Sequence, residues 1–304
     1  MVKPIILDVD TGVDDALAIA YAARSPELRL LGLTTCFGNV PVDEATRNTL
    51  YMLEKLGVDA PVLAGASDPL KRKRKEAVRH IHGEKGLGNV LDIEPKRRPD
   101  GRHAVDFIIE QVRGLPGQVT IVAVGPLTNL ALAVQKDPGI VPLVGDVVIM
   151  GGAVRVAGNV SPYAEANIHS DPEAADVVFR SGLPITLVGL DVTLQTMLGR
   201  DRVDVWRRKD PELGGFLAEV TEFYIGFYET IHPGKGGCGL HDPLAVGVAV
   251  NPDFVTTEML NVQVLLNEEE LGRTAELPDG KPNLRVCVGV KAQEFLEHFA
   301  DRVI

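Results

Sequence analysis

Residues 5–16 have the sequence Ile5-Ile6-Leu7-Asp8-Val9-Asp10-Thr11-Gly12-Val13-Asp14-Asp15-Ala16. The apolar run Ile5-Ile6-Leu7 predicts a buried strand, and residues 13–24 predict the helix that follows it. A strand, a short turn and a helix form the repeating unit of α/β folds, in which helices cover a parallel sheet. The stretch therefore predicts such a unit, with four carboxylates between the buried part of its strand and the body of its helix.

The alternation of apolar runs and helical stretches continues along the chain. Further strands are predicted at residues 30–35, 119–124, 147–150 and 185–188, and further helices at 41–57 and 127–136. Strands that alternate with helices indicate βαβ units, an open and mostly parallel central sheet, and helices on both of its faces. No linker or internal repeat divides the chain, so we predict a single α/β domain over residues 1–304.

Polar residues follow directly after several of the predicted strands. They are Asp8 and Asp10, Asn39, the segment after Val124, the Gly151-Gly152 turn and Asp191. In an open parallel sheet, ligands bind in the crevice outside the carboxyl ends of the strands. These chain-distant groups are therefore predicted to converge at one edge of the sheet.

The charge balance and the cysteines limit the classes of function. A formal net charge of −11 argues against nucleic-acid binding, which needs a basic surface. The apolar N-terminal stretch is too short for a signal peptide, and no stretch is long enough to span a membrane. The cysteines, Cys36, Cys238 and Cys287, have no short spacing that would indicate a disulfide framework or a zinc site. We therefore expect a cytoplasmic protein in a reducing compartment.

The acidic turn carries Asp8, Asp10, Asp14 and Asp15. Carboxylates this close repel one another and raise each other's pKa unless a cation or hydrogen-bond donors offset the charge. The free N–H groups at the start of the helix would satisfy Asp14 and Asp15 in part. A hard divalent cation such as Ca²⁺ or Mg²⁺, which binds carboxylate and carbonyl oxygens, would explain the remaining acids.

The same stretch has a second interpretation. The run Ile6-Leu7-Asp8-Val9-Asp10-Thr11 also fits the nucleophile motif of haloacid-dehalogenase-type phosphatases, with Asp8 as nucleophile, Asp10 as general acid and Mg²⁺ as cofactor. That chemistry has no use for Asp14 and Asp15. It also needs a downstream Gly-Asp with a further acid beyond it, and the stretch after Val144-Gly145-Asp146 lacks this second acid.

Further motifs lie in order along nearly the whole chain. They are residues 8–16, Gly38-Asn39, residues 124–129, Met150-Gly151-Gly152, Asn159, residues 164–168, residues 171–175 and His241-Asp242-Pro243. Together, in this order and at this spacing, they resemble the inosine–uridine nucleoside hydrolase family. The resemblance implies a Rossmann-like α/β core and an enzyme that hydrolyses the N-glycosidic bond of a ribonucleoside to free base and ribose.

The resemblance also implies a calcium site and a set of substrate contacts. The ligands of Ca²⁺ would be Asp10, Asp15, Asp242 and the backbone carbonyl of Val124, with the ribose 2′- and 3′-hydroxyls completing the shell. The substrate contacts would be Asp14, Asn39 and Asn167 at those hydroxyls, Asn159 and Glu165 at the 5′-hydroxyl, and also His82, Met150 and Tyr228. Asp10 would act as general base on a calcium-bound water, and His241 would protonate the leaving base.

These residue types suit the implied reaction. Cleavage of a ribosidic bond passes through an oxocarbenium-like sugar, which carboxylates around the ring stabilise. A cation lowers the pKa of its water, a neighbouring carboxylate takes the proton, and histidine titrates in the range needed to protonate a leaving base. A non-catalytic nucleoside-binding protein, the other alternative, would not need a general base.

The segment Glu165-Ala166-Asn167 supplies two of the implied sugar contacts. Side chains two positions apart point the same way on an extended segment, so both would reach into one pocket. Many members of the family carry an aromatic residue where this chain has Ala166. The alanine removes a packing surface near the sugar or the base, so the preference between purine and pyrimidine stays open.

Two other segments are predicted to form mobile walls of the pocket. Residues 80–84, which include His82, are expected to form a loop that closes over the site. Residues 222–232 predict a helix whose aromatic side chains pack in the core or against the base. The glycines among residues 234–239 predict a flexible connection to His241, as a closing lid requires.

The basic run Lys71–Lys75 and the state of association are less constrained. A run of like charge is usually a solvated loop, and a phosphate site or a docking patch is the alternative. The resemblance implies a homotetramer or a homodimer, with a small nucleoside as the only other partner. Composition gives no indication of the oligomer.

Overall fold

The computed structural model describes residues 2–304, and its regular elements are numbered in chain order. The strands are β1 (Lys3–Val9), β2 (Leu28–Thr35), β3 (Val62–Ala64), β4 (Thr120–Ala123), β5 (Asp146–Met150), β6 (Ile185–Val188), β7 (Met197–Gly199), β8 (Gly237–Gly239), β9 (Val255–Leu260), β10 (Val262–Val264), β11 (Thr274–Glu276) and β12 (Leu284–Val290). The helices are α1 (Val13–Arg24), α2 (Val42–Leu56), α3 (Arg79–His82), α4 (Ala104–Gly114), α5 (Thr128–Lys136), α6 (Ala166–Ser170), α7 (Pro172–Arg180), α8 (Leu190–Thr193), α9 (Arg200–Lys209), α10 (Leu213–Ile231), α11 (His241–Val250) and α12 (Ala292–Arg302). Short 3₁₀ helices span Pro138–Leu143 and Pro252–Phe254.

The central sheet has the strand order β3-β2-β1-β4-β5-β6-β12-β9. All of its pairings are parallel except that of β12 with β9, which forms one edge. From β1 the chain winds outward to β3, and it then returns to β4 on the other side of β1. The strand order therefore reverses between β1 and β4, and the crevice at such a point is the usual ligand site of an open α/β sheet. The predicted α/β class with a mostly parallel sheet is confirmed.

Helices cover both faces of this sheet. On one face α1, α10, α11 and α12 enclose a core that includes Tyr21, Trp206 and Phe299. On the other face α4, α5 and α7 enclose a second core that includes Phe107 and Phe179. Because both faces are buried, the inner strands are continuous apolar runs rather than alternating ones, which is why the sequence made them visible.

The first strand and helix follow the sequence prediction closely. Helix α1 spans Val13–Arg24, and β1 extends beyond the predicted apolar core to Val9. Gly12 is the N-terminal cap, and the Asp15 carboxylate accepts the Gly12 N–H bond at 2.9 Å, which satisfies one free donor of the helix start. Asp14 does not cap its own helix, because its carboxylate accepts N–H bonds from α11 instead.

Two local predictions were wrong. Residues 80–82 of the expected loop belong to the short helix α3. Gly237 and Gly239, expected in a flexible connection, lie in β8, which pairs antiparallel with β7. Pairing with a strand distant in the chain, which local pattern does not reveal, sets the backbone of β8. The helix predicted at residues 222–232 is confirmed as the last part of the longer α10. Within residues 2–304, no helix combines the length and the apolar character that crossing a membrane requires.

Candidate active site

A cleft opens at the carboxyl edge of the sheet, where β1, β4 and β5 end. Its floor includes Val124, which follows β4, and Met150, which ends β5. Of the residues predicted from the sequence, those lining the cleft are Asp14, Asn39, His82, Val124, Met150, Asn159, Glu165, Asn167, Tyr228, His241 and Asp242. Asp10 and Asp15 are buried behind this lining. The predicted convergence is therefore found for Asn39 and the segment after Val124, with Asp10 behind them, whereas Asp191 does not line the cleft and accepts N–H bonds from Val154 and Arg155.

Asp10 and Asp15 lie beneath Asn39 and share it as a partner. The Asn39 backbone N–H donates to Asp10 Oδ2 at 2.6 Å, and the Asn39 side-chain amide donates to Asp15 Oδ2 at 3.1 Å. Asp15 Oδ1 also accepts the backbone N–H bond of Asp10 at 3.0 Å. Asn39 is therefore more than a turn residue, because its side chain bridges to a buried carboxylate.

Asp14 joins the acidic turn to the start of α11. Its Oδ2 accepts N–H bonds from His241 at 3.2 Å and from Asp242 at 3.1 Å. The first turn of α11 has free N–H groups that favour a nearby negative charge. This contact brings Asp242, which lies 228 positions away in sequence, into the cluster formed by Asp10, Asp14 and Asp15.

Glycines allow two chain segments to approach Asp10 closely. A Cβ atom at Gly38 would lie 1.9 Å from Asp10 Oδ2, and one at Gly125 would lie 2.8 Å from Asp10 Oδ1. Neither distance is compatible with van der Waals contact. The glycines of the Gly38-Asn39 and Val124-Gly125 motifs are therefore required by the space that the Asp10 carboxylate occupies.

The four acids of the cluster are costly to ionise in the protein alone. Burial raises the pKa of Asp10, and repulsion from Asp15 raises it further. Burial also raises the pKa of Asp14, Asp15 and Asp242, and repulsion from Asp14 adds to the effect at Asp242. Removing carboxylates from water without a compensating charge has this effect. The cluster is thus a site where a bound cation would be strongly favoured.

The oxygen atoms of the cluster fit a hard divalent cation. Asp10 Oδ1 and Asp14 Oδ1 are buried and have no hydrogen-bond partner. Ca²⁺ and Mg²⁺ take carboxylate and carbonyl oxygens of this kind. In the described residues, no three His, Cys, Asp or Glu side chains form a metal-binding group by themselves. A cation here would therefore need backbone and substrate oxygens as well, such as the Val124 carbonyl.

One end of the cleft, the sugar end if the resemblance holds, is formed by Asn159, Glu165 and Asn167. The Asn167 side-chain amide donates to the Val124 carbonyl at 2.8 Å and to the Met150 carbonyl at 3.2 Å. The Asn159 side-chain oxygen accepts the Ala166 N–H bond at 3.0 Å, which ties the loop before α6 to that helix.

The extended conformation predicted for residues 165–167 was wrong. Glu165 is the N-terminal cap of α6, and its carboxylate accepts N–H bonds from Gly152, Asn167 and Ile168. Asn167 lies inside the helix. Both side chains still reach the cleft, because a cap and the second residue of a helix can face the same side as readily as two residues of a strand. A five-residue helix is too short for its periodicity to be visible in the sequence.

The other end of the cleft, the base end if the resemblance holds, contains a hydrogen-bonded chain centred on His241. The His241 ring contacts the Thr193 hydroxyl through Nδ1 at 2.7 Å and the Tyr228 hydroxyl through Nε2 at 2.5 Å. Burial lowers the pKa of His241 to about 4, with a smaller contribution from His232. The expectation that this histidine titrates near neutral pH is therefore not met in the protein alone, and the ring is neutral at pH 7. Thr193 carried no signal in the sequence.

The aromatic face of α10 is both core and pocket wall. Tyr224 and Tyr228 are buried and also line the cleft, and their rings meet edge to face with centroids 5.0 Å apart. Around them lies an apolar rim that was not predicted from the sequence, formed by Val78, Ile81, Val160, Leu194 and Ile231. Isolated apolar residues in loops and at helix ends have no periodicity by which they could have been found.

Asp8, inside β1, does not line the cleft. It accepts hydrogen bonds from the Thr34 hydroxyl and the Asn129 side-chain amide. Burial raises the pKa of Asp8 to about 6. The phosphatase interpretation needs Asp8 to reach the substrate, and this side chain is instead bonded to Thr34 and Asn129, so that interpretation finds no support.

The basic run is held by two of its side chains against α6 and α7. Arg72 pairs with Glu173 at 2.9 Å, and the Lys75 ammonium contacts His169 Nδ1 at 2.5 Å. Lys71, Lys73 and Arg74 are exposed. The run is thus a solvated segment attached at two points, in agreement with the simpler interpretation.

Comparison with known proteins agrees with this geometry. The sequence profile described as "Inosine-uridine preferring nucleoside hydrolase" matches residues 5–297. A "Probable uridine nucleosidase 2" of Arabidopsis thaliana is 40% identical over 99% of this chain and 98% of its own length. An "Inosine-uridine preferring nucleoside hydrolase" of Leishmania major is 42% identical over 88% of this chain and 85% of its own length.

A solved structure is also very similar. The "Purine-Preferring Ribonucleoside Hydrolase from Gardnerella vaginalis" is 45% identical and superposes with a TM-score of 0.96, covering 99% of this chain and 98% of that one. The names of these relatives point to one reaction and to different bases. The similarity therefore supports the reaction class, and it does not establish the preferred base.

The raised carboxylate pKa values lead to a prediction about stability. A carboxyl group whose folded pKa lies above its unfolded value binds its proton more tightly in the folded protein, so its ionisation costs stability as pH rises. With a chelator present, Asp14→Asn should therefore raise the free energy of unfolding at pH 8, and the gain should shrink toward pH 5.

Urea unfolding of both proteins at pH 5, 6.5 and 8 would measure this difference, in which the histidine contributions cancel. Exposed Asp279 offers a matched control, and Asp279→Asn should give no pH-dependent gain. A variant at Asp14 that is less stable than wild type at pH 8 would show that the cluster is not under electrostatic strain.

Proposed function

We propose that this chain, which belongs to the inosine–uridine preferring nucleoside hydrolase family, uses Asp10 and a bound Ca²⁺ to activate the water that cleaves a ribonucleoside. The family membership makes the chain a ribonucleoside hydrolase, which splits the N-glycosidic bond. The single observation that carries the proposed mechanism is the buried carboxylate cluster, whose unpartnered oxygens lie beside the cleft.

Asp10, Asp15, Asp242 and the Val124 carbonyl would hold the cation. The support for this set is that burial makes all three acids costly to ionise and that Asp10 Oδ1 has no partner within the protein. When bound, Ca²⁺ would offset the carboxylate charge and lower the pKa of a water molecule. Calcium rather than magnesium is proposed because of the family resemblance, since both ions prefer oxygen ligands.

The amides and acids at the sugar end would bind the ribose. Asp14, Asn39 and Asn167 are proposed to hold the 2′- and 3′-hydroxyls, with Asn159 and Glu165 at the 5′-hydroxyl and Met150 on the cleft floor. Asn167 and Glu165 are already fixed by bonds to the backbone of neighbouring elements. A site whose groups are fixed before the substrate binds has a small free-energy cost of reorganisation during the reaction.

Asp10 is proposed as the general base, and the whole cluster as the stabiliser of the sugar cation. Its Oδ2 is held by the Asn39 N–H, which leaves Oδ1 free to accept a proton from the attacking water. As the glycosidic bond breaks, positive charge develops on the ribose ring. Negative groups fixed on one side of the ring favour that charge over the neutral ground state.

Tyr228 and His241 are proposed to protonate the leaving base as a pair. Neutral His241 carries one ring proton, and its Nε2 is hydrogen-bonded to the Tyr228 hydroxyl, which lines the cleft. As the tyrosine hydroxyl gives its proton to the base, the imidazole would pass its Nε2 proton to the tyrosine oxygen and take up another at Nδ1 through the Thr193 hydroxyl. His82 is proposed as a further contact near the substrate.

The cellular compartment is proposed from the cysteines, and the oligomeric state from the family resemblance. Cys36, Cys238 and Cys287 are free and buried, which is in keeping with the reducing, cytoplasmic compartment proposed from the sequence. A homotetramer or homodimer is proposed from the family resemblance.

The decisive experiment is the release of ribose from inosine, uridine, adenosine and cytidine. We expect EDTA to abolish release and added Ca²⁺ to restore it, because the carboxylate cluster needs a cation to ionise and to orient water. The ranking of the four substrates would establish the preferred base. No release from any of them, together with Mg²⁺-dependent hydrolysis of a phosphate ester, would contradict the proposal.

Asp10→Asn should lower kcat by about 10²–10⁴-fold at saturating Ca²⁺, the usual contribution of a general base. The amide keeps the size of the side chain and can still accept the Asn39 N–H bond, so the fold should be retained. Steady-state assays at several Ca²⁺ concentrations would separate loss of the base from weaker cation binding. Asp279→Asn, on the surface, should leave kcat unchanged, and near-normal turnover of Asp10→Asn would remove Asp10 from the role of base.

Tyr228→Phe and His241→Ala should each lower kcat for inosine and uridine by at least about 10-fold, within the range for general acids. The double variant should be little worse than the poorer single one, because the two groups act on the same proton. A riboside with a nitrophenolate leaving group needs no protonation and should be cleaved almost normally by all three. Tyr163→Phe, at an exposed tyrosine, is the control. Equal losses on the nitrophenyl riboside would assign the pair to positioning instead.

A further inference from the structure

Residues 78–88, which carry His82, are joined at three places to the acidic turn and to Asn39, the partner of its acids. The Val78 N–H donates to the Asn39 carbonyl at 3.1 Å. The Asn48 side-chain amide bridges the Thr11 carbonyl at 3.0 Å and the Lys85 carbonyl at 2.8 Å. The third join is made by His82 itself. This segment is therefore built onto the turn that carries the acids, and is not only a cover over the cleft.

The third join ends on the first turn of α1. The Val13 N–H donates to His82 Nδ1 at 3.1 Å, and the ring is buried against Tyr224, with stacked centroids 5.5 Å apart. Because Nδ1 accepts this bond, the ring proton of neutral His82 lies on Nε2. A Cβ at Gly12 would lie 2.5 Å from His82 Nδ1, so the turn and the ring meet without spare room.

We propose that His82 is a positioning residue for the cation- and ribose-binding turn, acting through its bond to the Val13 amide. This inference rests on the proposed function, because it assumes that Asp14 and Asp15 serve the ribose and the cation. Both acids lie in the same helical turn as Val13, so the bond fixes the backbone from which they project. Val13 N–H is one of the donors that a helix start leaves free, and His82 satisfies it.

The consequence is a coupling between the cleft wall and the cation. If the segment holds the turn in its binding geometry, a bound cation must in return stabilise the segment, because coupling free energy is reciprocal. A residue that only touched the nucleobase would have no such effect on the cation. The affinity for Ca²⁺ in the absence of nucleoside therefore separates the two roles.

The test uses three variants of the full chain and isothermal titration with Ca²⁺ alone. His82→Ala removes the acceptor and should weaken Ca²⁺ binding about five-fold to ten-fold, the equivalent of one buried hydrogen bond. His82→Asn places an amide oxygen close to the position of Nδ1 and should bind Ca²⁺ within about two-fold of wild type. Ile81→Ala, at a neighbouring cleft residue without a bond to α1, should also leave the affinity unchanged.

Hydrogen exchange of the backbone amides of residues 13–16, measured without metal, provides a second readout. These amides should exchange faster in His82→Ala than in wild type or His82→Asn. Wild-type affinity in His82→Ala, or equal weakening in His82→Ala and His82→Asn, would overturn the proposal. Absence of Ca²⁺ binding in wild type would instead contradict the proposed cofactor, and the exchange rates alone would then decide whether His82 positions the turn.

Discussion

The burial of carboxylates without a buried lysine or arginine is the constraint on which this structure depends. Among residues 2–304, no lysine or arginine is buried, whereas Asp10, Asp14, Asp15 and Asp242 all are. Their charge is offset within the protein only by N–H groups and by the Asn39 side chain. Such weak compensation explains why burial dominates their pKa values.

This constraint accounts for the way in which the chain is folded around the cleft. The backbone N–H groups that reach the acids come from the β1–α1 turn, from Asn39 after β2, and from the start of α11. A parallel sheet brings such segments together, because the carboxyl ends of its strands and the amino ends of the following helices share one edge. Close approach then demands Gly38 and Gly125, where any side chain would collide with Asp10.

The parts of the molecule that local pattern specifies were predictable from the sequence. The buried strands appear as apolar runs, α1 matches its predicted range, and the acids, Asn39 and His241 stand in motifs with recognisable spacing. Features created by contact between distant segments were not predictable. The cap that Glu165 forms on α6, the Thr193 partner of His241 and the lowered pKa of His241 all depend on burial and on neighbours remote in sequence.

The cleft is formed by two separate sets of residues, one at the sheet edge and one in the wall. The acids and the Val124 carbonyl lie at the carboxyl edge of the sheet, whereas Ile81, Leu194 and Ile231 belong to α3, to the residue after α8 and to α10. Replacements at these three positions would change the shape of the cleft wall and leave the carboxylate cluster untouched. If the nucleobase lies against this wall, as proposed, base preference can drift at a few positions without passing through an inactive enzyme. Such drift is in keeping with relatives whose names share one reaction and specify different nucleosides.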